Sequence, residues 1–352
     1  MTWTVLSVAY PLAPVSRDTA GGAEQVLATL DRALVAAGHT SIVVAQEGSR
    51  VAGTLLPVPK PVGMLDERAT ATAQDATRRA VTDALVRWPI DVVHLHGIDF
   101  HAYLPPPGPP VLATLHLPLS WYPPEALRPA RPDTWLVCVS ETQHRASPPS
   151  PNLLRPIANG VDVEGLAARH ARRSFVLFLG RICPEKGVHL AIEAARRALA
   201  PLLIAGEVFP YGAHRRYFDD VIAPQLGPGC RFLGPVGFAR KRRLLTAARA
   251  VLVPSLAEET SSLVAREAAA CGTPVIAFPN GALAEAVDEG RTGFLVPDAS
   301  TMADAIGCVS SLSSRTCRQV ARARFSEHQM VAEYLGLYGR LAGKPAARGR
   351  SA

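Results

Sequence analysis

Three features of the sequence predict an α/β protein built from two doubly wound units. Short apolar runs rich in β-branched residues alternate with helical patterns along nearly all of the 352 residues. The runs are continuous and do not alternate apolar with polar, as strands buried on both faces require. The alternation also occurs twice, before and after a Pro-rich stretch at 147–156.

In the first half, Thr2–Ala9 is predicted as the opening strand. Gly21-Gly22 then leads into an amphipathic helix predicted over Ala23–Ala37, closed by Gly38 as the residue past its end. A strand at Ser41–Ala45, a helix at Ala69–Arg87 and strands at Asp91–Leu95, Val111–Leu115 and Leu136–Val139 follow. The second half predicts strands at Phe175–Leu179, Leu202–Ala205, Arg231–Leu233, Ala250–Val253, Pro274–Ala277 and Gly293–Val296. Helices are predicted over Gly187–Ala198 and Leu263–Ala270. Tyr334, Leu337, Tyr338 and Leu341 share one face of a last helix at Met330–Leu341. The expected organisation is a first domain at 1–165, a second at 166–325, a C-terminal helix at 326–343 packing back towards the first domain, and a disordered tail at 344–352.

Composition narrows the function classes. Hydrophobic residues make up 48% and charged residues 19%, which excludes a disordered chain. No apolar run reaches the length of a membrane-spanning helix. The apolar start, Met1 to Pro14, lacks a basic leader, and Thr2–Ala9 within it reads as a buried strand, not a signal peptide. None of the six cysteines forms a C-x-x-C pair, so free buried thiols in a reducing cytoplasm are expected, without disulfides or a zinc site. The net charge of +7 is uneven: residues 1–170 hold 13 basic and 15 acidic side chains, and the remainder hold 24 and 15. A basic second half suits an anionic ligand such as a phosphate, a nucleic acid or a membrane surface.

Ligands of open α/β sheets bind beyond the carboxyl ends of strands, at helix starts, so chemistry is sought in strand-to-helix loops. Gly21 and Gly22 let backbone approach a ligand, although a flexible turn is the plainer reading and the spacing is not that of a dinucleotide site. Arg181 and Lys186, on Gly180-Arg181-Ile182-Cys183-Pro184-Glu185-Lys186-Gly187, place two cations at a helix start, where a diphosphate would be clamped. The third loop, Pro254 to Ala268, carries Glu259 before a helix and Glu267 inside it. Two carboxylates facing one ligand can hold hydroxyls on two of its parts. Thr260, Ser261 and Ser262 are small enough to leave backbone amides open to phosphate. The helix is apolar nearly all round, so Glu267 is buried and needs a partner, which a ligand hydroxyl would supply.

These loops in this order resemble the retaining GT-B glycosyltransferases of family 4, the glycosyl transferases group 1. Further segments carry the resemblance: Ile157-Ala158-Asn159-Gly160-Val161-Asp162, Phe232-Leu233-Gly234-Pro235-Val236, the run from Glu267 through Gly272-Thr273-Pro274 to Ile276, Glu285-Ala286-Val287, and Gly290-Arg291-Thr292-Gly293-Phe294. It extends from about Val5 to Tyr338. The resemblance implies two Rossmann-like domains facing a central cleft. It implies transfer of a sugar from a nucleotide-diphosphate sugar, the co-substrate, to a hydroxyl acceptor on a glycan, a lipid-linked molecule or a small molecule. Arg181 and Lys186 would bind the diphosphate, Glu267 the ribose hydroxyls and Glu259 the transferred sugar. Gly21 and Gly22 would approach the β-phosphate, Ser261, Ser262 and Leu263 would offer amides or hydroxyls to the phosphates, and Val236 would lie beside the base. His116 matches the family's active-site histidine. One departure is Thr260-Ser261-Ser262, where many members carry a Gly/Pro-Phe-Gly stretch, and it bears on donor identity.

No side chain presents itself as a nucleophile, which suits same-face transfer with the leaving phosphate oxygen taking the acceptor proton. No metal or other cofactor is expected, because the cations already answer the diphosphate. His94, His96, Asp99 and His101 match no zinc spacing. His96 and Asp99, with Trp121, are instead acceptor-side candidates. The run Arg240-Lys241-Arg242-Arg243 has no interleaved aromatics, so a solvated helix face is expected and no nucleic-acid partner. A nucleotide-sugar epimerase of the same fold and a non-catalytic nucleotide- or nucleic-acid-binding protein are the alternatives. A cytoplasmic location, including the inner membrane face, is expected.

Overall fold

The structure is a computed structural model and describes residues 2–168 and 170–343. The tail expected at 344–352 lies outside the described residues. The chain forms two compact units, which divide between Ala158 and Asn159 and again between Glu327 and His328.

The first unit contains β1 (Thr4–Val8), α1 (Gly22–Ala36), β2 (Thr40–Gln46), β3 (Thr54–Val58), α2 (Glu67–Arg87), β4 (Val92–Leu95), β5 (Val111–Leu115), α3 (Pro124–Leu127), β6 (Thr134–Cys138) and α4 (Glu141–Ala146). The second contains α5 (Val163–Leu166), β7 (Val176–Leu179), α6 (Val188–Arg197), β8 (Leu202–Ala205), α7 (Gly212–Arg216), β9 (Cys230–Phe232), α8 (Phe238–Ala247), β10 (Ala250–Val253), α9 (Leu263–Cys271), β11 (Val275–Ala277), α10 (Leu283–Ala286), β12 (Gly293–Leu295), α11 (Ala299–Cys308) and α12 (Ser314–Arg324). All but the first residue of α13 (Glu327–Ala342) return to the first unit.

Each unit is built on a six-stranded sheet, ordered β3-β2-β1-β4-β5-β6 and β12-β11-β10-β7-β8-β9. All strand pairs are parallel. Both sheets therefore reverse strand order at one place, between β1 and β4 and between β7 and β10. At such a switch point, neighbouring loops leave in opposite directions and open a crevice for a ligand.

The central strands are buried on both faces. In the second unit Val176, Phe178, Ala250 and Leu252 pack on one side with Ile192 and Met302. Leu177, Val251 and Val253 pack on the other with Ala265, Ala268 and Ala269. Adjacent residues alternate between faces, so one apolar run serves two cores.

One strand has no counterpart in the prediction. β3 contains Pro57, which argues against a central strand. It is tolerated because β3 lies at the sheet edge, paired only through β2. α11 and α12 were also not predicted. α11 is started by a capping box at Asp298 and Thr301, and α12 by the Ser313 hydroxyl accepting from the Thr316 amide. The helix predicted at Ala69–Arg87 begins earlier, at Glu67, because the Asp66 carboxylate accepts from the Ala69 amide at 2.8 Å.

Gly187 joins the β7 loop to α6 with φ +64°, and a Cβ there would lie 2.0 Å from the Pro254 carbonyl oxygen. Gly187→Ala should lower stability by about 1–3 kcal/mol through strain and displacement. Gly307→Ala, on the exposed side of α11 with open space around the new methyl, should raise it by roughly 0.5–1 kcal/mol. Denaturant unfolding of the two variants checks both signs.

Candidate functional site

In the second unit the two chemistry-bearing loops leave β7 and β10, the strands at the switch point. The first turns through Arg181 and buried Ile182 and Cys183 into a short 3₁₀ turn at Pro184–Lys186. It is braced on the second: the Glu185 carbonyl accepts from the amides of Leu256 (2.8 Å) and Ala257 (3.2 Å).

That bracing brings Lys186 to Glu259. The Lys186 ammonium donates to Glu259 Oε1, which also accepts from the Ser255 hydroxyl at 2.6 Å. Burial pushes the Glu259 carboxyl up, but Lys186, Ser255 and Arg181 together outweigh burial and hold it below the usual carboxylate range. Glu259 is thus an anion already answered by a cation. Arg181 makes no salt bridge among the described residues.

After Glu259 the chain passes through Ser261, whose hydroxyl is buried without a hydrogen-bond partner. Ser262 follows with φ +52°, unusual for a residue with a side chain. No side chain caps the start of α9, so its first-turn amides depend on another acceptor. Beneath them the buried Arg266 donates from Nε to the Ser261 carbonyl (3.1 Å) and from Nη1 to the Asn159 carbonyl (2.5 Å). Arg266 was not singled out from the sequence. What its guanidinium reaches is set by the folded chain, not by a local pattern.

Glu267 is buried, as its apolar surroundings required, but its partner is a residue of the chain. Lys241 Nζ donates to Glu267 Oε1 at 2.5 Å, and both side chains are less than a tenth exposed. This corrects two expectations. Lys241 belongs to the basic run read as a solvated face, yet it turns inward from α8. A ligand hydroxyl is not needed to satisfy Glu267, although one can join the pair. Arg242 also bonds within the unit, from Nη1 to the Gly165 carbonyl at 3.1 Å. Val236 is half-buried against the same apolar cluster as α9.

In the first unit the Glu24 carboxylate folds back over Gly21 so closely that a Cβ there would lie 1.7 Å from it. The start of α1 at Gly22 is therefore accompanied by an anion of the chain itself. His116 follows β5 and is buried. Its Nε2 meets His96 Nδ1 at 3.0 Å. His94 lies between Tyr338 (2.6 Å) and Thr114 (2.7 Å), and its ring centroid is 3.9 Å from that of His96. Gln143 steadies the His116 segment by donating to the carbonyls of Leu115 (2.8 Å) and Leu117 (3.0 Å). Tyr334, Tyr338 and Gln143 were not identified as site residues, because only the folded chain shows what their polar atoms reach.

Asp99 does not join the histidines. Its two oxygens accept from Gln74 and Tyr103, each at 2.9 Å, and burial raises its carboxyl. Trp121 is 39% exposed on a short turn beyond His116.

Residues 20–164 match the protein family described as Glycosyltransferase Family 4, and residues 173–311 match Glycosyl transferases group 1. D-inositol 3-phosphate glycosyltransferase from Mycobacterium sp. (strain KMS) is 36% identical over 219 residues, which cover 56% of this chain and 48% of that protein. The chain spans about half the length of the curated relatives it matches. AviGT4, a glycosyltransferase involved in avilamycin A biosynthesis, is 25% identical over 97% of this chain and 98% of its own, with a TM-score of 0.72. Sucrose-phosphate synthase from Thermosynechococcus elongatus shares the fold at a TM-score of 0.78 and 21% identity, over 96% of this chain and 99% of that one. Two doubly wound units and paired cation and carboxylate loops define the GT-B class. The chain belongs to glycosyltransferase family 4, the glycosyl transferases group 1. No helix among the described residues is long and apolar enough to cross a membrane.

Two outcomes test the charge bookkeeping. Lys241→Met should destabilise the protein by about 3–5 kcal/mol, because Glu267 is left as an uncompensated buried charge. Adding Glu267→Gln should recover most of that loss in denaturant unfolding. The second outcome concerns pH. Burial holds His116 down to about 3 and drives His94 and His96 well below 6.5, with repulsion from neighbouring imidazoles adding to it. Folded values below the unfolded one mean that this stabilisation is complete above about pH 7 and declines as pH falls through 6.5. The loss approaches about 1.4 kcal/mol per histidine per pH unit. Tm should therefore fall steadily from pH 7 towards 5, with a shallower slope in His116→Gln.

Proposed function

We propose that this protein is a glycosyltransferase that moves a sugar from a nucleotide-diphosphate donor to an acceptor hydroxyl with retention of anomeric configuration. The observation that carries the reading is the convergence of the Arg181/Lys186 loop with the Glu259–Glu267 loop and helix at the β7/β10 switch point. Two cations and an uncapped helix start make a cradle for a diphosphate, and two carboxylates flank it in sequence for sugar hydroxyls.

In this reading Arg181 and Lys186 neutralise the leaving diphosphate as the sugar becomes oxocarbenium-like. The donors are in place where the charge develops, so reorganisation is small. The amides of Ser262 and Leu263 add to them. Glu267 holds ribose hydroxyls while the bond from Lys241 orients it, and Val236 flanks the base. Glu259, fixed by Lys186 and Ser255, accepts from hydroxyls of the transferred sugar. The bond from the anomeric carbon to the diphosphate oxygen breaks, and the bond to the acceptor oxygen forms on the same face. The acceptor proton passes to the departing phosphate oxygen. Neutral His116 acts as a hydrogen-bonding group for the sugar, without a formal charge. By the family resemblance alone, Gly21 and Gly22 would approach the β-phosphate; His96, Asp99 and Trp121 would serve the acceptor side. No step requires a metal or a further cofactor, and no nucleic acid takes part. The reaction is placed in the cytoplasm, including the inner face of the membrane. Among solved neighbours, Anabaena HepE was captured with UDP-glucose, so UDP is the first nucleotide to try.

Calorimetry with UDP, GDP, ADP and TDP in metal-free buffer tests the donor site. One nucleotide should bind, and Arg181→Ala should weaken it about tenfold to a hundredfold, the value of a charge-assisted hydrogen bond. Unchanged affinity in the variant, or no binding of any nucleotide, would overturn the assignment. Release of an altered nucleotide sugar without acceptor would favour the epimerase, and inversion at the anomeric carbon would sink the same-face route.

A further inference from the structure

Between its two cations, the loop after β7 carries side chains that the donor reading does not use. Cys183 is 1% exposed, and its thiol faces the Glu185 carboxylate. From α7, His214 turns its ring towards the same place. The Cys183 sulfur, a Glu185 carboxylate oxygen and one His214 ring nitrogen all lie within 4.8 Å of one another. The His214 ring rests edge-on against Tyr211, with centroids 5.1 Å apart. Its Nδ1 is shut off from solvent and has no hydrogen-bond partner. Glu185 is already positioned, because its carbonyl is tied to the amides of Leu256 and Ala257.

We propose that Cys183, Glu185 and His214 form a binding site for a zinc-type divalent ion. A thiolate, an imidazole and a carboxylate are a donor set for a borderline ion such as zinc or cobalt. Magnesium and calcium prefer oxygen alone. The two anionic donors match the charge of the ion, which matters beside Arg181 and Lys186. Metal–ligand lengths of about 2.0–2.3 Å require the three donors to draw in by roughly an ångström at most from their present spacing. Solvent takes the fourth position. The ion would tie α7 to the loop that presents Arg181 and Lys186, and so fix where those cations stand. It makes and breaks no bond in the transfer reaction. From the sequence no zinc site is expected at the cysteines, because His214 is remote from Cys183 along the chain and no metal-type spacing links them.

The test uses cobalt alone, in nucleotide-free buffer, on protein stripped with a chelator. A thiolate-to-cobalt charge-transfer band should rise to saturation at one cobalt per chain and be displaced by zinc. Cys183→Ser and His214→Ala should each abolish the band. Cys308→Ser, which removes an exposed thiol elsewhere, should keep it. Zinc at a hundredfold excess over Kd should raise Tm by about 5 °C in the wild type and leave His214→Ala unmoved. Circular dichroism confirms that the variants fold. His214 is only partly buried, so its variant decides the matter if Cys183→Ser misfolds. No band, or a band that survives in folded His214→Ala, would overturn the proposal. Nucleotide binding is measured separately, so failure of the metal site and failure of the donor reading are distinguishable.

Discussion

A parallel sheet covered on both faces leaves no room for chemistry along its strands. The central strands of the second unit are committed to one core or the other, as Leu177 and Phe178 show by packing on opposite sides of β7. Reactive side chains are therefore confined to the loops at the carboxyl ends. The reversal of strand order then selects which loops can converge. In the second unit these are the loops after β7 and β10, and they carry Arg181, Lys186, Glu259 and the start of α9. The rest of that unit holds these loops in place.

Charge pairing governs how the loops rest without a ligand. Lys186 answers Glu259 and Lys241 answers Glu267. The chain has only four lysines, and two of them are committed to the two carboxylates. Arg181 is left with the freer charge. An incoming diphosphate would meet one guanidinium at once and share an ammonium with Glu259. Lys186, Ser255 and Arg181 hold the buried Glu259 carboxyl below the usual carboxylate range.

The first unit handles polarity differently. His94, His96 and His116 are stacked and bonded in a buried group, completed by Thr114, Tyr334 and Tyr338. Burial keeps the imidazoles uncharged, so their contribution is directional hydrogen bonding. The His96 Nε2 atom is buried without a hydrogen-bond partner, while its Nδ1 meets His116. Gln143 fixes the neighbouring carbonyls and with them the backbone that carries the histidine.

The sequence alone determined the fold class, because continuous apolar runs alternating with helical patterns leave few arrangements other than parallel sheets covered on both sides. It also marked the candidate loops, since two cations before a glycine and two carboxylates around a helix start are local patterns. It could not determine partners. Glu267 was recognisable as a buried acid, but that Lys241 answers it depends on α8 and α9 packing together, and a basic run on paper shows no inward face. The edge position of β3, the Arg266 bonds beneath Ser261 and the meeting of Cys183 with His214 likewise join residues distant in the chain. Local patterns record backbone preference and burial. Which polar atom meets which is settled only when the tertiary structure brings separate elements within hydrogen-bonding distance.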